Sequence, residues 1–316
     1  MSKRPQRTLR AVVAALGLLA AACSSTPSGT PTTTAPAAGS FPISITAANG
    51  TVHIAARPHA IVSLSPTATE MLYAIGAGSQ VKAVDKDSDY PPKVPRTNLD
   101  PVEPNVEAIA AYKPDLVVVA GDTSNLTERL AGFGIPVLSE PAATTLQDTY
   151  NQVAQLGAAT GHVRQAAAEV AAMKSQIAAI VRGVPKSHGP ETYYYELDPT
   201  YYSVTSTTFI GRALSLLGLT DIADAASGAA SSGGYPQLSS EYIVQADPDY
   251  VFLADTVCCG QDAATVTARP GWSTIKAVTD GHVVGLNDDI ASRWGPRIVD
   301  LMRTVAAALE PRSSTG

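Results

Sequence analysis

Glu107-Ala-Ile-Ala-Ala-Tyr-Lys-Pro-Asp-Leu-Val-Val-Val-Ala120 and Glu241-Tyr-Ile-Val-Gln-Ala-Asp-Pro-Asp-Tyr-Val-Phe-Leu-Ala254 repeat one pattern, with Glu, Ile, Pro-Asp, Val and Ala at matching offsets. Each predicts a helix, a break at Pro114 or Pro248, and a short strand. Proline ends the helix because it has no N–H to donate and clashes with the preceding turn. The strands, Leu116–Ala120 and Tyr250–Ala254, are apolar throughout rather than alternating. Such runs mark strands buried on both faces, as in a parallel sheet with helices on either side.

The flanks extend the pattern into two α/β lobes. Ala60–Leu64 predicts a strand and Ser65-Pro66-Thr67 a helix start, the helix running through Glu70–Ile75 to Gly76. Ser203–Ser206 predicts a strand and Thr207-Thr208 a helix start, this helix ending at Leu217-Gly218. Glycine is the usual residue just past a helix end. Further strands are expected at Val81–Val84, Ile135–Leu138, Tyr193–Leu197 and His282–Leu286. Strands alternating with helices imply α/β architecture. Between the halves, Val163–Arg182 lacks Gly and Pro and places Val163, Ala167, Val170, Met173, Ile177 and Ile180 at helical spacing. It enters no sheet pattern. It is either a single helix bridging the lobes or a helix packed on one lobe's face.

The N-terminus reads as an export signal. Lys3, Arg4, Arg7 and Arg10 precede an uncharged apolar stretch from Ala11 to Ala22. At about a dozen residues it is shorter than the roughly 20 a membrane span needs. It ends Leu18-Leu19-Ala20-Ala21-Ala22-Cys23, similar to the lipobox of bacterial lipoproteins, which implies lipidation of Cys23 and attachment to the extracytoplasmic face of the cell membrane. Lipoboxes favour Leu three residues before the cysteine, where this chain has Ala20; the alternative is plain cleavage at Ala-x-Ala. Residues Ser24 to Ser40 are only Ser, Thr, Pro, Gly and Ala, a composition that tethers rather than folds. The chain divides into a signal peptide (1–22), lipidated cysteine and tether (23–40), N-terminal lobe (41–160), bridging helix (161–184) and C-terminal lobe (185–312). Loss of residues 1–22, with four cations and no acid, takes the formal charge from −6 to −10. So acidic a domain is not built for nucleic acid or anionic lipid, and its only expected membrane contact is the anchor.

Ile61-Val-Ser-Leu-Ser-Pro-Thr-Ala-Thr-Glu70, Ser88-Asp-Tyr-Pro-Pro92, Asn105-Val-Glu107, Lys113-Pro-Asp115 and Ser292-Arg-Trp-Gly-Pro-Arg297 together resemble the substrate-binding proteins of ABC importers for vitamin B12 and iron–siderophores. The resemblance runs in order from about Pro58 to Leu309, and Ser88–Pro92 looks most like the B12 branch. It implies two Rossmann-like α/β lobes joined by a single long helix, a small-molecule ligand held in the cleft between them, and delivery to an ABC permease dimer with ATPase subunits. It implies ligand contacts at Ser65, Asp87, Tyr90, Tyr201, Tyr235, Asp289, Arg293 and Trp294. The chain departs from the B12 pattern in having fewer rings. Asp87 stands where members carry Tyr, Asn98-Leu-Asp-Pro101 where they carry Trp, and Tyr235 where they carry Trp before Pro-Gln. The cleft is therefore expected to be more polar.

Glu107 and Glu241 fall in the first turns of their helices, behind Asn105 and Ser239–Ser240 as caps. One such carboxylate offsets the helix dipole by roughly 0.3–1 kcal/mol. Two at matching positions suit docking on a two-fold partner, and the resemblance implies pairing with arginines on the two permease subunits. Cys258 and Cys259 leave two alternatives. An oxidising compartment allows a vicinal disulfide lining the cleft at the carboxyl end of a strand. Yet neighbouring Cα atoms lie about 3.8 Å apart, below the usual disulfide range of roughly 4.4–6.8 Å, which favours two free thiols. Tyr193–Tyr195, Tyr201 and Tyr202 are candidate cleft rings, although alternate strand positions should face the core. His53, His59, His162, His188 and His282 have no His or Cys at ligand spacing, so no metal site is expected. No cofactor fingerprint or nucleophile–base set is evident, and catalysis is not expected. The functions left are a corrinoid receptor, a ferric-siderophore or haem receptor, and a surface lipoprotein that binds an extracellular protein or wall polymer. The paired glutamates argue against the last.

Overall fold

The computed structural model describes residues 40–185 and 191–310. The segments expected to be the signal peptide and the tether, with Cys23, lie up to residue 39 and outside the described residues, as does His188.

The N-terminal half builds β1 (Ile43–Ala47), β2 (Gly50–Ile54), β3 (Ile61–Leu64), α1 (Pro66–Ala74), β4 (Val81–Asp85), β5 (Arg96–Leu99), α2 (Val106–Ala110), β6 (Leu116–Val119), α3 (Leu126–Ala131), β7 (Val137–Ser139) and α4 (Leu146–Thr160). Strands β5-β4-β3-β6-β7 form one parallel sheet, with β1 and β2 an antiparallel hairpin beside it. Each residue of β3 and β6 is buried. Alternate residues serve opposite layers: Ile61, Leu116 and Val118 pack with α1 and α4, while Val62, Leu64, Val117 and Val119 pack with α2 and α3. This is the physical origin of the continuous apolar runs.

Helix α5 (Val163–Gly183) follows, then β8 (Glu191–Glu196), α6 (Phe209–Ser215), β9 (Leu219–Asp221), α7 (Ser240–Ala246), β10 (Tyr250–Leu253), α8 (Ala263–Thr267), α9 (Lys276–Thr279), β11 (Val283–Gly285), α10 (Asp288–Ser292) and α11 (Ile298–Ala308). Strands β11-β10-β8-β9 form a second parallel sheet. Tyr193 and Tyr195 face the layer of α6 and α11, and Tyr194 faces that of α7 and Trp272. All three are fully buried, so none lines a cleft: both faces of this sheet are covered.

Two expectations change. Ser203–Ser206 forms no strand. Tyr202 makes one antiparallel bridge to Gln237, and Ser203 and Thr205 donate to Pro236 and Gly234, so the segment pairs with a loop while β9 takes the sheet edge. Helix α5 does bridge the lobes, with Ala166 in the first lobe's core and Met173 and Ile177 in the second's. It does not bridge unaided. Helix α4 crosses too, with Val153, Leu156 and Ala159 in the first core and Tyr150 in the second. The pair packs closely because residue 157 is glycine; a Cβ there would collide with that of Ala166.

The repeated motif folds alike in both lobes. Lys113 and Asp247, each just before the proline, take left-handed conformations at φ 50° and φ 47°. Asp115 and Asp249 then clip the crossover to the neighbouring strand. Asp115 Oδ2 accepts from the amides of His59 (2.7 Å) and Ala60 (3.0 Å); Asp249 Oδ2 accepts from the Thr192 amide and hydroxyl, both at 2.8 Å.

Candidate functional site

In a parallel sheet, a crossover helix runs against its strands, so its N-terminus lies at their carboxyl ends. The start of α1, the start of α2, the start of α7 and α10 therefore share that end with the loops after β4, β8 and β10. This is where an open α/β sheet receives ligands. Asn105 Oδ1 caps α2 at the Ala108 amide (2.8 Å) and Ser239 Oγ caps α7 at the Tyr242 amide (3.1 Å). Glu107 and Glu241 follow on the exposed first turns.

On the first lobe the loop after β4 is shaped from below. Asp85 is buried and accepts from the amides of Asp87 (2.8 Å) and Ser88 (2.9 Å) and from the Ser88 hydroxyl (2.8 Å). Burial pushes its carboxyl up, against the pull of these bonds. Thr69 meets the Ser88 hydroxyl at 3.1 Å and donates to Ser63 Oγ at 2.9 Å. This buried ladder presents Asp87, Asp89 and Tyr90 to the other lobe. Ser65 is turned inward: it is buried and its Oγ caps α1 at the Ala68 amide (3.2 Å).

On the second lobe, Asp288 Oδ2 accepts from the amides of Val257 (3.1 Å) and Cys258 (2.7 Å), pinning the loop after β10. Cys258 and Cys259 are exposed and joined by a disulfide, with Val257 beside them 72% exposed. Beneath the loop, Arg269 binds Glu196 through two 2.6 Å bonds and lies over Trp272 and Tyr201. Tyr201 is thereby stacked on Trp272 (5.7 Å between centroids), leaving Tyr90, Tyr202 and Tyr235 as the exposed rings among the candidates. Asp255 is fully buried here, and burial, with Glu196 adding, pushes it up to about 7.

The turn that follows α10 joins the two sides. Next to Asp288, Asp289 accepts from Arg293 at 2.5 Å. Arg293 also donates to Glu70 (2.8 Å), Asp89 (3.2 Å) and the Asp87 carbonyl (3.1 Å), all on the first lobe. Arg297 Nε donates to Glu70 Oε2 at 2.8 Å, its terminal nitrogen contacts Oε1, and its guanidinium sits 4.2 Å from the Tyr90 ring centroid. Trp294 is half-buried against both cores; its indole N–H donates to Gln152 (2.9 Å) and its carbonyl accepts from Thr149 (2.8 Å). Implied by the resemblance to be a ligand contact, Trp294 forms instead a wedge between the lobes. Ser292–Arg297 is thus largely an interlobe latch, with Asp289 and the remaining edge of Arg293 at the cleft floor. Partial burial pushes Asp289 up, opposed by Arg293 and reinforced by Asp89.

Glu70 and Asp288 were not singled out from sequence. A signal for Glu70 is an acid just before Met71, Leu72 and Ile75, which needs a buried cation once that helix packs. A signal for Asp288 is its place in an Asn-Asp-Asp run directly after a strand. Among the described residues no group of three or more His, Cys, Asp and Glu could hold a metal ion, and no helix is long and apolar enough to cross a membrane.

Residues 61–290 match the periplasmic binding protein family. The chain is 32% identical over 281 residues to a cobalamin-binding protein of Halobacterium salinarum, covering 85% of this chain and 74% of that one. It is 30% identical over 282 residues to an uncharacterised ABC transporter substrate-binding lipoprotein of Bacillus subtilis, covering 86% of each. Its fold matches a possible iron-binding (periplasmic solute-binding) protein of Staphylococcus epidermidis with a TM-score of 0.69 at 25% identity, over 81% of this chain and all of that one.

Proposed function

This chain belongs to the periplasmic binding protein family, and from that membership we propose that it captures a corrinoid in the interlobe cleft and delivers it to an ABC importer. The observation that carries the receptor role is geometric. The carboxyl ends of two parallel sheets are latched across one crease by Arg293 and Arg297, which follow α10, and Glu107 and Glu241 stand exposed at that same end. A carrier that docks mouth-first on a two-subunit permease needs that arrangement, one carboxylate per lobe. The corrinoid assignment is supported by the likeness to a cobalamin-binding relative across most of the chain and by the exposed Tyr90 and Tyr235 on either lobe. Rings of this kind cover an apolar macrocycle while backbone and carboxylate groups meet its amides. The protein acts as a binder, held at the extracytoplasmic face of the membrane through Cys23.

Titration of the purified protein with cobinamide and cyanocobalamin, followed by absorbance, tests this. One site with micromolar or tighter affinity is expected. Binding of a ferric siderophore or haem with no corrinoid binding would overturn the corrinoid assignment. Binding of none of them, with retention on cell-wall polymer or an extracellular protein, would overturn the receptor role.

A further inference from the structure

We propose that the latch across the cleft makes this receptor select against anionic ligands, so that the solute it carries presents neutral amides or positive charge, not carboxylates, to the cleft floor. This deepens the corrinoid assignment above and rests on the same cleft.

The inference starts from what Arg293 is free to do. An arginine at a cleft floor is ordinarily an anion receptor, because its planar fork matches a carboxylate. Here both terminal nitrogens are committed. One donates to Glu70 and Asp89, the other to Asp289 and the Asp87 carbonyl. Its side chain is only 11% exposed. Arg297 is committed to Glu70 and capped by the Tyr90 ring. Three carboxylates thus face two guanidiniums, an excess of one negative charge, and the exposed Asp87 beside them adds another.

Among the described residues, the basic side chains at the carboxyl ends of both parallel sheets are Lys86, Lys93, Arg212, Arg269, Arg293 and Arg297. Arg269 is held by Glu196 through two bonds, and Arg212, outside the latch, donates to the Thr207 carbonyl. Lys86 is paired with Asp100 at 2.6 Å, and Lys93 lies 5.9 Å from the Tyr73 ring centroid. Carboxylates outnumber bases at the same ends, among them Asp122, Asp198 and Asp262. Low-dielectric walls focus that field into the crease. A ligand edged with carboxylates would meet repulsion at the latch and find no free donor fork on Arg293 or Arg297. One edged with amides donates hydrogen bonds to Asp87, Asp89 and Asp289 instead.

The test compares two matched pairs on the purified protein: cobinamide against cobyrinic acid, the same corrin with side chains ending in carboxylates, and a neutral ferric trihydroxamate against a trianionic ferric tris-catecholate. Cobinamide should bind at least about a hundredfold more tightly than cobyrinic acid. Asp89→Asn should narrow that gap by about tenfold, the scale of removing one unit charge several ångströms away at intermediate dielectric. Asp87→Asn should narrow it similarly, and it guards against loosening of the latch, since the Asp87 backbone and not its carboxylate touches Arg293. Equal affinity for the two corrinoids, or a gap unmoved in both variants, overturns the proposal while leaving the corrinoid assignment intact. Binding within the siderophore pair alone overturns that assignment; preference there for the trihydroxamate still supports charge selection, and preference for the tris-catecholate refutes it.

Discussion

Glu70→Gln is the substitution on which the latch can be judged. The Glu70 side chain is 2% exposed and accepts from two arginines that are 11% and 14% exposed. The amide keeps the shape but removes the charge and turns one acceptor into a donor facing a guanidinium. Arg293 retains the carboxylates of Asp89 and Asp289; Arg297 is left with no carboxylate partner on the first lobe, only the remaining amide oxygen at position 70 and the Tyr90 ring. Breaking a buried pair from one side costs roughly 3–5 kcal/mol, and with one arginine still compensated the lower end, about 3 kcal/mol, is expected. Against a total stability of roughly 5–15 kcal/mol that is a large fraction. Urea unfolding should show a lower midpoint with little change in slope, since the surface exposed on unfolding is the same. Thermal unfolding should shift down by about 6–10 °C. In a double-mutant cycle with Arg297→Met, the Glu70–Arg297 coupling should exceed about 1.5 kcal/mol. A loss below about 1 kcal/mol with no coupling would mean that these charges are screened like surface pairs, and the latch would not hold the lobes.

Glu107→Arg and Glu241→Arg should each impair uptake while ligand affinity stays nearly constant, and the double reversal should reach background; normal transport by the double variant would remove the docking role. Unreduced protein should give a Cys258–Cys259 peptide two hydrogens lighter than the dithiol, whereas rapid alkylation of both without reductant would exclude the bond. Cys23→Ala should abolish fatty-acid labelling, and a variant that still labels would show that the lipobox assignment is wrong. Stability should fall as pH rises from about 5 to 8. Burial pushes Glu140 up to about 8 and both Asp221 and Asp255 up to about 7, so the native state holds protons that the unfolded chain has already shed near pH 4, and that advantage is lost as pH climbs through the folded values. His162, held down by burial and Arg57, opposes this below its ordinary 6.5. Melting temperature followed at fixed ionic strength should drop across the window, and Glu140→Gln should flatten it; a steady rise from pH 5 to 8 would contradict the assignment.

The fold was legible where one local rule acted undisturbed. Pro114 and Pro248 ended their helices, the apolar runs became the inner strands β6 and β10, and Gly76 and Gly218 followed α1 and α6 with φ of 82° and 86°. The rule failed at Ser203–Ser206, where β-prone residues pair with a loop because the neighbouring sheet position is occupied by β9. The crossing role of α4 was hidden for a related reason. Its apolar spacing says that one stripe is buried, but not that the stripe is shared between two cores. That depends on where β7 ends and which lobe the loop after it reaches.

The site was legible at the level of residue type and not of partner. The motif implies that Arg293 and Asp289 lie at the cleft, yet the pattern does not record that Arg293 is already matched by Glu70, more than 200 residues away in sequence. A sequence that shows an arginine at a cleft invites an anionic ligand; the same arginine closed on three carboxylates argues for the opposite charge. The sign of a site's preference is set by the sum of neighbouring charges in low dielectric, and that sum exists only after the two lobes have met. The disulfide loop makes the same point for shape. Cys258 and Cys259 lie adjacent in any conformation, but the three acceptor contacts from Asp288 to the Val257 and Cys258 amides fix which way the loop faces, and these come from a strand end some thirty residues on. Asp288→Ala should therefore alter ligand affinity through the loop's orientation while the disulfide persists, and unchanged affinity in that variant would separate the cysteine pair from the binding site.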